Sequence, residues 1–254
     1  MPMTADAFVD SIGVNTHLTA DLTLDGTYAV VTQRMKEIGV RHIRDGIFPK
    51  ESSREYADQR KFFIATGVRM DAITDCRQPL GYYPGSYTSP YVIRTFDARV
   101  GGAAEMLEGP NEPDLRRVPR WPSLMIACMK ENDLTKALPV PFVAPAMGDA
   151  IHGDPAKLGN IAGLVDFGAI HRYFSPGWNP GWAGYGRDSC GSIESLAWAI
   201  CEAKVNSGPD RAVDVTETGY TTHGEYASHP AEVDEITDGK YVSRVLLVDS
   251  LGGI

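Results

Sequence analysis

The sequence predicts an α/β fold of the (β/α)8 TIM-barrel type, incomplete at the eighth strand, with residues 1–254 as a single domain. Three observations predict it. Short β-branched or apolar runs alternate with longer amphipathic ones, which argues a parallel sheet covered by helices. The runs recur at about 30 residues, the spacing of eight units in roughly 250 residues. No glycine-rich dinucleotide or P-loop motif follows the first strand, and polar residues gather at the C-terminal ends of many strands, where barrel chemistry sits.

Strands are expected at 11–18, 40–46, 68–74, 104–110, 141–147, 167–173 and 212–220. Helices are expected between them: 28–39 with a stop at Gly39, 53–67 with Ser53 as N-cap, 90–104, 122–134, 154–163, 192–208 and 237–253. That makes seven strand-helix units, and the seventh helix runs to Ile254. An unclosed parallel barrel leaves two edges of unpaired backbone groups, so some loss of stability or self-association is expected.

Composition excludes several function classes. The chain has 254 residues, 43% hydrophobic and 22% charged, enough to bury a full core. Its net charge of −9, without a run of Lys or Arg, offers no footprint for nucleic acid or an anionic membrane. No apolar run approaches the roughly 20 residues of a membrane span. The start, "MPMTADAFVDSIGVN", lacks the charged and apolar regions of an export signal. Localisation and oligomeric state stay open.

Cys76, Cys128, Cys190 and Cys201 show no metal-ligand spacing. Cys128 and Cys201 fall in helical segments and read as buried thiols, whereas Cys76 and Cys190 fall in loops and could pair. His152, His223 and His229 lie in post-strand loops without HxH spacing, so neither a metal nor a cofactor is expected.

Strand ends bring Asn15 and His17, Arg44 and Asp45, Asp71 and Asp75, Asn111 and Glu112, His171 and Tyr173, and Glu217 toward one mouth. In "LEGPNEPDL" (107–115), Pro113 biases Glu112 toward extended backbone angles, which places it at a strand tip. Glu112 and Glu217 fall on strands four and seven, across the mouth. Two carboxylates in different environments suit glycosidic bond cleavage: one protonates the departing oxygen while the other attacks or activates water. A separation of about 5–5.5 Å implies retention, and roughly 6.5–9.5 Å implies inversion. Arg44 could also pair with Asp45 or another surface acid, and His171 could be a core histidine.

Aromatic residues follow the third and sixth strands in "GYYPGSY" (81–87) and "FSPGWNPGWAGYG" (174–186). Tyr82, Tyr83, Trp178 and Trp182 are candidate platforms for the apolar faces of sugars, with Trp121 a further one. The same rings could instead pack within their own loops.

"EGPNEPD" after a fourth strand and "VTETGY" in a seventh resemble the acid/base and nucleophile motifs of the clan A glycoside hydrolases, which are retaining (β/α)8-barrel enzymes. "HRY" and "RHIRDG" are also similar to that clan. The resemblance implies that Glu112 is the acid/base, Glu217 the nucleophile and Asn111 a ligand of the sugar 2-hydroxyl. It further implies that Tyr173 and Arg44 orient Glu217 and that His171 lines a subsite, with a carbohydrate as partner. Two function classes stay open: a retaining glycosidase, and a catalytically impaired carbohydrate-binding barrel fragment.

Overall fold

The computed structural model describes residues 3–18, 27–135, 137–174, 179–220, 222 and 233–254. The chain divides into two compact units, Met1–Val143 and Ala144–Ile254. In the first, strands β1 (Gly13–Asn15), β2 (His42–Gly46), β3 (Arg69–Ile73), β4 (Ala104–Glu108) and β5 (Phe142–Val143) form one parallel sheet in chain order. Helix α1 (Ala5–Asp10) precedes it, and α2 (Thr27–Ile38), α3 (Ser53–Thr66), α4 (Pro90–Val100) and α5 (Trp121–Thr135) follow the first four strands.

Local chemistry explains the boundaries. Ser52, not Ser53, caps α3: it and Glu55 form a reciprocal capping box, the next serine along being already helical. Gly67 and Gly101 end α3 and α4 in left-handed conformation, which a side chain would disfavour. Gly101 therefore stops α4 at Val100, and of the helix expected over 90–104 the last residue, Ala104, opens β4. Ile43, Phe62, Met70, Ile93, Phe96 and Val143 are the buried apolar core between sheet and helices.

In the second unit β6 (Gly168–Tyr173) pairs in parallel with β9 (Val213–Gly219). Ile170, Trp198, Ala199, Ala203 and Val213 form its core, contributed by these strands and helix α7 (Leu196–Ser207). A short helix, α6 (Asp154–Leu158), precedes β6, and α8 (Glu235–Gly252) ends the unit. Between β6 and α7 lies an antiparallel hairpin, β7 (Tyr185–Asp188) with β8 (Gly191–Ile193). The helix expected over 192–208 thus begins as a strand, and it starts only after Ser195, whose side chain caps it.

The seven strands of the β/α repeat are those predicted, and no eighth occurs among the described residues. The architecture is α/β, of the incomplete TIM-barrel class. No helix among the described residues is long and apolar enough to cross a membrane.

The cysteines pair otherwise than expected. Cys76 is bonded to Cys128 and Cys190 to Cys201, so Cys128 and Cys201 are not thiols and Cys76 does not pair with Cys190. In each case a loop or turn cysteine reaches a helix in its own unit. The Cα atoms lie 5.8 and 5.5 Å apart, within disulfide reach.

Candidate active site

In the first unit the polar residues are organised around Arg44. From β2 its side chain reaches across β3 to the end of β4, where Nε and Nη2 donate to the two carboxylate oxygens of Glu108 at 2.5 and 2.9 Å. Both partners are buried, Glu108 completely. Nη2 also donates to Oδ1 of Asn111 at 2.7 Å, and Nη1 lies 3.5 Å from Oδ1 of Asn15. With its carbonyl end held by a cation, Asn111 presents its NH2 group as a directed donor. Glu108 was not among the predicted site residues: within an apolar strand it reads as an interior position, and nothing local reveals its partner.

Asp45 is not that partner. It accepts from Thr16 Oγ1 at 2.9 Å, Leu18 N at 2.6 Å and Gly46 N at 2.7 Å, which ties the segment after β1 to β2. Burial outweighs these hydrogen bonds and raises its pKa to about 6. Asn15 and His17 are exposed beside this buried group.

Glu112 is not at an extended strand tip. Strand β4 ends at Glu108, and Glu112 stands four residues on, with φ 43° and ψ 55°, as N-cap of a 3-10 turn over Pro113–Arg116. Pro113 does disfavour right-handed helical angles at Glu112. The turn demands a tighter path than an extended residue allows, so the left-handed region is used instead. A non-glycine residue there is strained by about 1–3 kcal/mol, and such strain gathers at functional sites.

Arg116 links this turn to an aromatic ring. It donates to the Asn111 carbonyl at 3.4 Å while its guanidinium lies 4.7 Å from the Tyr82 ring centroid. Tyr82 is exposed although Arg116 lies over its ring. Trp121 is not available: it opens α5 and is buried in the core.

In the second unit Glu217 is set by a register shift. Ile170 pairs with Val215 but His171 with Glu217, so the ladder skips Thr216. Such bulges re-aim side chains beside functional sites. The Tyr173 hydroxyl donates to Glu217 Oε2 at 2.8 Å, and Nδ1 of the buried His171 side chain lies 3.5 Å from the same oxygen. Residues alternate along a strand, so His171 and Tyr173 share one face of β6 and Arg172 takes the other. There Arg172 donates to Asp249 of α8 at 2.7 Å and lies over Phe174, which stacks on Tyr220. Trp182 is half-buried in a turn closed by its N–H to Asn179 O at 3.0 Å. Trp178, His223 and His229 lie outside the described residues. His152 bonds Asp149 three residues away.

No protein-family model and no curated protein matches this chain. Solved structures do. The chain is similar to the GH39 enzyme from Xanthomonas axonopodis pv. citri, with a TM-score of 0.56 at 17% identity over 87% of this chain and 53% of that one. It is also similar to a monomeric beta-xylosidase from Caulobacter crescentus CB15, with a TM-score of 0.51 at 15% identity over 82% and 52%. A calcium-binding mutant of Bacteroides uniformis beta-glucuronidase 2 gives a TM-score of 0.54 at 15% identity over 94% and 29%. The chain spans about half the length of the first two. All three are glycoside hydrolases, and this chain shares their fold.

Proposed function

We propose that this chain, acting as one catalytic domain, is a retaining glycoside hydrolase that cleaves β-glycosidic bonds in an oligo- or polysaccharide. The observation that carries the reading is the hydrogen bond from Tyr173 to Glu217 on a strand re-aimed by a bulge. A tyrosine hydroxyl donated to a carboxylate favours its ionised form, as a nucleophile needs.

In this reading the Glu217 carboxylate attacks the anomeric carbon while Glu112 gives its proton to the departing oxygen. Glu112 then takes a proton from water as that water displaces Glu217. Asn111, held at its carbonyl by Arg44, donates to the sugar 2-hydroxyl. His171 and Tyr173 hold the nucleophile, and Arg44 acts through Glu108 and Asn111. Asn15, His17, Tyr82, Trp178 and Trp182 contribute to binding the carbohydrate.

The test is turnover of aryl β-glycosides by Glu217→Ala with and without azide. Abolished hydrolysis and partial recovery as the glycosyl azide is the expected result; unchanged hydrolysis removes the assignment. The alternative reading is a catalytically impaired carbohydrate-binding fragment. It predicts oligosaccharide binding to the unmutated chain without cleavage.

A further inference from the structure

Helices α3 and α4 lie side by side in the first unit, and their outer faces form a groove of about 700 Å³. It is a shallow groove open to solvent. Ala57 and Ala98 keep it open, and Arg60, Arg94 and Arg99 line it with Tyr56 and Tyr91. Tyr56 is buried beneath the Arg99 guanidinium, 4.7 Å from ring centroid to carbon, whereas Tyr91 is exposed.

The charge of this groove is not neutralised from within. The two helices carry three acidic residues, Glu55, Asp58 and Asp97, and Glu51, just before α3, acts on Tyr56 and accepts from Gln59 at 2.8 Å. Glu55 closes the capping box with Ser52. Asp58 is engaged by Lys61 at 2.7 Å and Arg54 at 3.8 Å. Asp97 accepts from the Ala104 N–H at 3.0 Å. Among the described residues none of Arg60, Arg94 and Arg99 has a carboxylate at ion-pair distance.

Three guanidinium groups without acid partners, in a protein of net charge −9, mark a local site for anions. Planar guanidinium forks match carboxylates in bidentate geometry. An exposed tyrosine ring offers an apolar face to a sugar. The overall negative field opposes densely charged polymers such as nucleic acid, and favours a ligand whose charges are sparse and met by short-range contacts. We infer that this groove binds a uronate-bearing saccharide, apart from the candidate active site. The choice of a saccharide among carboxylates rests on the glycosidase reading above.

Calorimetric titration of the Glu217→Ala chain with a linear oligogalacturonate, and with a neutral oligosaccharide of equal length, tests the inference independently of turnover. The acidic ligand is expected to bind and the neutral one not to compete. Arg60→Gln with Arg94→Gln should weaken binding at least about tenfold, as loss of charge-assisted pairs does. Tyr91→Ala, which leaves the charge unchanged, should weaken it about threefold or more. No binding of the oligogalacturonate, or equal affinity in both variants, overturns the proposal. So does equally tight binding of duplex DNA or displacement by equimolar inorganic phosphate. Failure here beside successful azide rescue would discard the groove and keep the glycosidase; the reverse pattern would do the opposite.

Discussion

Tyr173 reaches Glu217 diagonally across the β6–β9 ladder, two residues beyond His171, which pairs with it, and the phenol hydroxyl donates to the carboxylate at 2.8 Å. A hydrogen bond to a charged acceptor contributes about 1.5–3 kcal/mol. Tyr173→Phe is therefore expected to lower kcat/KM by roughly 10- to 100-fold. The acidic limb of the pH–rate profile should move to higher pH, because the carboxylate loses a donor that favours ionisation. An unmoved limb would mean that this hydroxyl positions substrate and not the nucleophile.

Backbone strain at Glu112 gives a second expectation, free of catalysis. Glu112→Gly and Glu112→Ala both remove the carboxylate, so their comparison isolates the left-handed backbone. At ordinary positions glycine is less stable than alanine by about 0.5–1 kcal/mol. Here the order should invert, with the glycine variant about 1 kcal/mol more stable in urea unfolding.

The Arg44–Glu108 pair predicts a larger loss. Glu108→Gln preserves shape but leaves a buried guanidinium without its counter-charge, at a cost of about 3–5 kcal/mol. Denaturant midpoints measure this directly. If the chain still folds, activity should fall as well, since Arg44 also holds Asn111.

Much of this was legible in the sequence, for identifiable reasons. Strands β2, β3, β6 and β9 are short segments in which β-branched or apolar residues alternate with polar ones between turn residues, and Gly67 stops its helix where the periodic pattern does. The β7–β8 hairpin was missed because β7 is exposed along its whole length and shows no alternation. The disulfides were missed because spacing does not state which Cys lies near which. Glu108 shows the limit for the site: its partner comes from two strands away, and that adjacency belongs to the sheet order.

Asp45 makes stability depend on pH in an uncommon direction for a carboxylate. Its pKa is raised in the folded chain to about 6 from 3.8, so between these values the folded state binds more protons than the unfolded one. Stability from this group is present below about pH 4 and is lost as pH rises through about 6. The difference in urea stability between the wild-type chain and Asp45→Asn should change by on the order of 3 kcal/mol across this range, with the wild type losing ground as pH rises. A flat difference would mean that the three donors to Asp45 keep it ionised.

Four half-cystines admit three connectivities, and the one found joins each cysteine to its nearest neighbour along the chain, with separations of 52 and 11 residues. Each bridge closes inside a single unit, so neither must wait for residues from the other. A chain emerging vectorially into an oxidising compartment can seal Cys76 to Cys128 before Cys190 has been made. Correct pairing then follows from the order of synthesis, and a thiol-disulfide isomerase has little to undo.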